Sequence, residues 1–316
     1  MPGMPSFAHV INPVSEAEKK SLFMAQVVTF NSLIKAKEYY RQPEAVALYT
    51  INEHADNSFV PKEFTVLPAL TRNLTDILPG EKFRFPLITD IMQALYDNST
   101  AEYLVYTALD INMMPFFYTA VAEYIKSGHD AIVINRRRIH NRFLKETNLD
   151  LMYAEVGKSH AGYDTFVFKR ELWPQFIKKD ICVGAPPFGN DLFYNMFTFA
   201  DKPVLLLDKH LTFHLGMELN NGWANKRIIK YNYDLFYELV KELEPKVDAS
   251  KLPWSYEPLL MRHFIWLMNP TLHYPTNYKA DARRGFKKTK REKDRSYRPN
   301  LRNRFLEVLM KFFFVD

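Results

Sequence analysis

LVYTALDINMMPFFYTAV, residues 104–121, holds the reading of this chain. Its start belongs to YLVYTAL (103–109), a run without polar alternation, which predicts a strand covered on both faces. Its end opens PFFYTAVAEYIKSG (115–128), with Pro at a first helical position and Gly after Lys126, the punctuation of a helix. Between them, Asp110-Ile111-Asn112 sets two polar side chains around an apolar one. Strand alternation sends Asp110 and Asn112 to one side. Two oxygen donors at a strand end suit Mg²⁺ or Mn²⁺, which can bridge to the phosphates of a nucleotide. A helix cap made by Asp110 is the plainer alternative.

The surroundings repeat the strand–helix theme. FAHVINPV (7–14) predicts a first strand stopped by Pro13, and Ser15 with Glu18 can form a capping box for the next helix. AVALYTI (45–51) predicts a second strand and ITDIMQALYDNS (88–99) a helix. DAIVINRRR (130–138) predicts a strand ending in three arginines. Such alternation gives βαβ units, and ligands of such sheets sit at the carboxyl ends of the strands. Further on come a strand in YDTFVFK (163–169), a loop VGAPPFGND (183–191) leading into a helix, short strands in VLLLD and LTFHLG, and helical stripes over 228–244 and 256–268.

Composition narrows the class. The 316 residues are 47% hydrophobic and 25% charged, enough for a sizeable core. Cys182 is the only cysteine, so no internal disulfide and no CxxC zinc ribbon can form, and a cytoplasmic setting is expected. No GxxxxGK[ST] or GxGxxG occurs, which removes the P-loop and dinucleotide fingerprints. Residues 279–304 hold 12 Lys/Arg against 3 Asp/Glu, so the net charge of +6 divides into +9 there and about −3 elsewhere.

The strand-end LDIN, the later GYDTFVFKRELWP, the helix start GNDLFYNMF and the late KHLTFHLG come in an order that resembles the nucleotide-sugar-dependent glycosyltransferases of the GT-A fold, most closely a branch related to family 2. The resemblance spans roughly residues 7–225. It implies a GT-A-like, Rossmann-like mixed α/β sheet flanked by helices, a nucleoside-diphosphate sugar as donor, and Mn²⁺ or Mg²⁺ on Asp110, Asn112 and a late histidine, best matched by His214. Asn112 departs from the family's second acid. The resemblance also places Asp191 as the base that takes the acceptor's proton, where the family's acidic pair is Asn190-Asp191 here. An N-terminal helix acid favoured by the dipole is the alternative for Asp191.

Asp164, in HAGYDTFVF, is second in line for the base or a ligand of sugar hydroxyls. His210 and His214 would face the same way along a strand. Arg136 or Arg137 could fork onto phosphate oxygens, or the arginines could form a solvated cluster. Asn12, Pro13, Tyr49 and Thr50 would border the nucleotide base in such a fold, and Trp173 and Trp223 would stack on a sugar or pack inside.

Three segments are expected: a catalytic domain over 1–225, a helical extension over 226–278, and a basic stretch with an amphipathic helix over 279–316. Within the last, 283–315 suits an anionic membrane surface, giving a peripheral enzyme at the inner face of a membrane that acts on a glycan or lipid-linked acceptor. No nucleic-acid module accompanies the basic run, so nucleic acid ranks last as a partner. Two other classes stay open, a sugar-phosphate nucleotidyltransferase and a non-catalytic carbohydrate- or membrane-binding protein.

Overall fold

The three most apolar runs lie at the middle of a sheet. The structure, a computed structural model, describes residues 3–15, 20–53, 57–142, 148–160, 163–207, 209–216, 224–253, 255–258, 260, 261 and 264. β1 (Phe7–Ile11), β4 (Tyr103–Thr107) and β6 (Ala131–Ile134) are buried at every position, whereas β2 (Val46–Thr50) alternates between buried and half-buried. With β3 (Phe64–Val66), β9 (Thr165–Lys169) and β10 (Pro203–Leu206) they form seven strands in the order β10-β6-β9-β4-β1-β2-β3. All pairings are parallel except those of β9, which runs antiparallel between β4 and β6. The expected mixed sheet is thus present, and the reversal of β9 has a consequence: its first residues lie at the carboxyl ends of its neighbours.

Helices cover both faces. α1 (Lys20–Tyr39) and α4 (Phe117–Lys126) bury Phe30, Leu33, Phe117 and Val121 against Phe7, Ile11 and Val105. On the other face, α3 (Ile88–Asp97), α6 (Asn190–Phe199) and α7 (Lys226–Leu243) bury Ile91, Leu95, Phe193, Phe197, Phe236 and Leu239 against Val10, Leu104 and Phe166. Two shorter helices, α2 (Leu74–Ile77) and α5 (Leu149–Ala154), start at Asn73 and Asn148, whose side chains accept from the first-turn N–H groups.

A second sheet grows from the carboxyl edge of the first. β5 (Ile111–Met113), β7 (Arg137–Ile139), β8 (Lys158–Ser159) and β11 (Thr212–Leu215) join in the order β5-β11-β7-β8. β5 follows β4 after a turn and β7 follows β6 after two residues. The run 130–138 is therefore two strands in two sheets, and the second carries Arg137 and Arg138; this corrects the single strand expected there.

α7 fastens the loop before α6. The buried Asn232 accepts from Cys182 N (3.0 Å) and donates to Cys182 O and Ala185 O (both 2.9 Å). A buried amide that closes three main-chain bonds leaves the loop few alternative conformations. Burial holds the Cys182 thiol up at about 12, so it stays protonated. The Ser15–Glu18 box, Trp223 and the basic stretch fall wholly or partly outside the described residues, as does most of 256–268.

Candidate functional site

The corner after β4 is a turn and not a continuation of the strand, and this changes where its polar groups go. β5 pairs antiparallel with β11, Ile111 opposite His214 and Asn112 opposite Phe213. Asp110, just before the ladder, reaches diagonally to His214, with Oδ2 3.1 Å from Nε2. The other ring nitrogen of His214 lies 3.4 Å from Gly216 O. Burial alone would raise the Asp110 carboxyl, but the hydrogen bond and charge of His214, with Arg136, hold it down at about 2.

Asn112 goes elsewhere. It is buried, its Oδ1 accepts from Thr29 Oγ1 (3.2 Å) and its Nδ2 donates to Phe213 O (3.2 Å). The expectation that Asp110 and Asn112 share a side is corrected. Both amide atoms tie the corner to α1 and β11, and the alternation rule fails because Asp110 lies outside the strand.

Beside this corner is a second charged pair. Arg136 Nη1 lies 2.7 Å from Asp164 Oδ1. His160 flanks both, Nε2 3.4 Å from Arg136 Nη2 and Nδ1 3.9 Å from Asp164 Oδ2. Asp164 stands one residue before the reversed β9, with its N–H on Ile134 O (3.3 Å), which brings it to the carboxyl end of β6. Burial raises its carboxyl, against the pull of Arg136. The three arginines part company: Arg137 donates to the carbonyls of Val156 and Gly157, and the fully buried Arg138 donates to Ser159 O (3.1 Å). Arg136 is the one that pairs with Asp164.

Asp191 approaches from the face covered by α6, in the first turn of that helix. Gly189, with φ 87°, turns the chain into the helix and donates its N–H to Asp191 Oδ1 (3.1 Å). The side chain is buried, and that burial pushes its carboxyl up to about 6 against main-chain N–H groups that stabilise the anion. Burial, joined by the charges of Asp110, Asp191 and Asp164, raises the phenol of Tyr106, near the end of β4, well above its usual range.

At the ends of β1 and β2, Asn12 Nδ2 donates to Ile51 O (2.6 Å), Pro13 is buried, Tyr49 packs on the core, and Thr50 Oγ1 is buried with no protein hydrogen bond. Gln26 locks the turn that follows by accepting from Val14 N (2.9 Å) and donating to Val14 O (2.8 Å). His210 precedes β11 in a left-handed conformation (φ 49°), so the strand alternation expected to align it with His214 does not extend to it. Trp173 is core: its ring packs on Phe168 and Phe176, and its N–H donates to Gln93 (3.0 Å).

Among the described residues no group of three His, Cys, Asp or Glu side chains is placed to hold a metal ion. Asp110 and His214 bring together two donors that could share one ion. That fits Mg²⁺ or Mn²⁺, which commonly takes one or two protein ligands and completes its shell with water and substrate phosphate. Tyr106 and His160 escaped the sequence reading. The one signal for Tyr106 was a hydroxyl in a buried strand, four residues before Asp110, and Tyr103 and Thr107 of the same strand carry the same signal.

Fold and site together define a mixed α/β domain with an Asp–His corner, an Arg–Asp pair and a buried helix-start Asp gathered at one sheet edge. Among solved structures the chain is similar to TarS 1–349 of S. aureus in complex with UDP-GlcNAc, at 14% identity and TM-score 0.48, covering 83% of this chain and 73% of that one. It is also similar to the mannosyltransferase PcManGT from Pyrobaculum calidifontis in complex with GDP-Man and Mn²⁺, at 12% identity and TM-score 0.48, covering 99% and 81%. No protein-family profile and no curated protein matches the chain. The likeness is remote, and the functional reading rests on the side chains of the site.

Proposed function

We propose that this protein is a glycosyltransferase that moves a sugar from a nucleoside diphosphate to a hydroxyl acceptor with inversion. The carrying observation is the meeting of Asp110 and His214, 104 residues apart, at the carboxyl edge of the sheet with Oδ2 and Nε2 3.1 Å apart. A carboxylate held at about 2 is ionised at every physiological pH, as a cation ligand must be. When bound there, Mn²⁺ or Mg²⁺ supplies Lewis-acid stabilisation of the departing diphosphate. Asp110 and His214 would hold it, and Asn112 fixes the corner.

The chain's own groups do the rest. Asp191 accepts the proton of the acceptor hydroxyl as its oxygen forms a bond to the anomeric carbon; the bond from that carbon to the diphosphate breaks, and its electron pair leaves with the phosphate. A base titrating near 6 is ionised at neutral pH and still basic enough to take the proton. Arg136 meets the diphosphate from beside Asp164, which keeps its contact with Nη1, and the ends of β1 and β2, with Asn12, Pro13, Tyr49 and Thr50, border the base. In this reading the acceptor is a glycan or lipid-linked glycan, and 283–315 brings the enzyme to an anionic membrane surface on the cytoplasmic side. No helix among the described residues is long and apolar enough to cross a membrane.

Calorimetry with UDP and GDP, with and without Mn²⁺, tests this directly. Metal-dependent binding of one of them is expected. Binding of neither, alongside no release of nucleoside diphosphate from any nucleotide sugar, sinks the proposal.

A further inference from the structure

Several buried polar atoms at the site have no protein hydrogen bond, among them Arg136 Nε and the hydroxyls of Thr50 and Thr165, and two more form a pair. One is the hydroxyl of Tyr106, a side chain 1% exposed, and the other is Asp164 Oδ2. They are complementary. The phenol is a donor whose proton is kept on by its surroundings, and the carboxylate oxygen is an acceptor whose twin, Oδ1, is held by Arg136. Buried polar groups are almost always paired in a native protein, so two orphans of opposite kind in one site need an explanation.

Strand register brings them together. Tyr106 pairs with Phe166 across the β4–β9 ladder, and both rings lie on the face that packs against α6. Asp164 is two residues before Phe166 and still bonded to β6 through its N–H, so it is the diagonal neighbour of Tyr106 on that face. Diagonal cross-strand positions are within reach of long side chains. Phe188, from the loop that carries Asp191, stands edge-on to the Tyr106 ring at 5.7 Å and closes the apolar side. No rotation of the phenol has brought it to a carboxylate: Asp110 is engaged by His214 and Asp191 by Gly189.

A group that satisfies both orphans must accept from Tyr106 and donate to Asp164. A phosphate oxygen can only accept, and the three carboxylates repel it. An alcohol does both. The geometry points to Tyr106 and Asp164 as a recognition pair for one hydroxyl of the transferred sugar, Tyr106 Oη donating to the hydroxyl oxygen and that hydroxyl donating to Asp164 Oδ2. This rests on the transferase reading and adds to it a specificity-determining residue, Tyr106, that recognises the sugar and leaves the nucleotide alone.

The experiment compares the full-length wild type with Tyr106→Phe and Asp164→Asn. Each is assayed for kcat/KM with UDP- and GDP-hexoses and their monodeoxy analogues, and for UDP or GDP binding with Mn²⁺ by calorimetry. Removing an unpaired buried hydroxyl should leave Tyr106→Phe as stable as the wild type or more so, because no bond is lost. Nucleoside-diphosphate affinity should be unchanged. Turnover of the parent sugar should fall roughly tenfold, the ordinary value of one neutral hydrogen bond. With the one deoxy analogue that lacks the recognised hydroxyl, wild type and Tyr106→Phe should be equal, and Asp164→Asn should lose selectivity at the same position.

Full turnover of every donor by Tyr106→Phe, or an equal loss on every deoxy analogue, overturns the pair while leaving the transferase intact. A wild type that binds no nucleoside diphosphate and turns over no nucleotide sugar overturns both. If Tyr106→Phe does not fold, Asp164→Asn carries the same comparison.

Discussion

His214 Nε2 and Asp110 Oδ2 are 3.1 Å apart because β11 pairs with β5 and sets His214 diagonally across from the turn that ends β4. A hydrogen bond between imidazole and carboxylate needs a proton on Nε2, and a divalent cation held by both groups would take that proton's place.

The first prediction follows from this exchange. Asp110→Asn keeps size and loses charge, so Mn²⁺-dependent nucleoside-diphosphate binding should weaken by about 10- to 100-fold and transfer by about 10²- to 10³-fold. Titration of Mn²⁺ at fixed nucleotide, monitored by calorimetry, checks it. An unchanged metal dependence would remove Asp110 from the ion site.

Asn112→Asp restores the acid that the resembled family carries, yet the structure predicts harm. The new oxygen would face Phe213 O, where Nδ2 now donates, and put an unpaired carboxylate in a buried position. A loss of roughly 2–4 kcal/mol is expected, with no gain in Mn²⁺ affinity. Denaturant unfolding and metal titration of the same sample decide it.

Asp191 sets stability against activity. Its folded pKa, about 6, lies above the usual carboxylate value, so the folded state holds more protons than the unfolded one between about 4 and 6. Stability therefore falls as pH rises through that window, and the cost persists above it. Asp191→Asn keeps the acceptor for Gly189 N, so it should stabilise the fold at pH 8, by on the order of 2 kcal/mol, and not at pH 4. The same change should lower turnover by about 10³-fold, and wild-type turnover should rise with pH to a plateau above about 6. Melting curves at the two pH values and a pH–rate profile are the measurements.

His9 gives the opposite slope. Its ring is buried in β1 between Tyr118 Oη (2.7 Å) and Thr107 Oγ1 (2.9 Å), and burial lowers its pKa from 6.5 to about 3. The unfolded chain takes up a proton below 6.5 that the folded chain refuses, so stability is full above 6.5 and declines as pH falls towards 3. His9→Gln should fold with lower stability at pH 7 and a flatter decline below 6.5, read by melting temperature from pH 7 to 4.

Local pattern was sufficient wherever the physics is local. The apolar runs of β1, β4 and β6 must be buried on both faces, so they could only be central strands, and Pro115 with Gly128 bounded α4 without reference to the rest of the chain. Asp110 and His214 could be picked out one by one, since a carboxylate closing a buried strand and a histidine in a late short strand are visible as residue types.

Partnership was decided by the tertiary structure. Alternation assigned Asn112 to the side of Asp110, but the turn at 109–110 breaks the period, and Thr29 and Phe213, 83 residues before and 101 after, claim its amide. Three adjacent arginines are equivalent in sequence; a break between β6 and β7 sends one to Asp164 and two to main-chain carbonyls. Tyr106 is one more β-former until the reversed β9 lays Asp164 diagonally beside it. Which residues a segment buries depends on its own pattern, whereas which groups meet depends on strand order and direction, and these are set by contacts made a hundred residues apart.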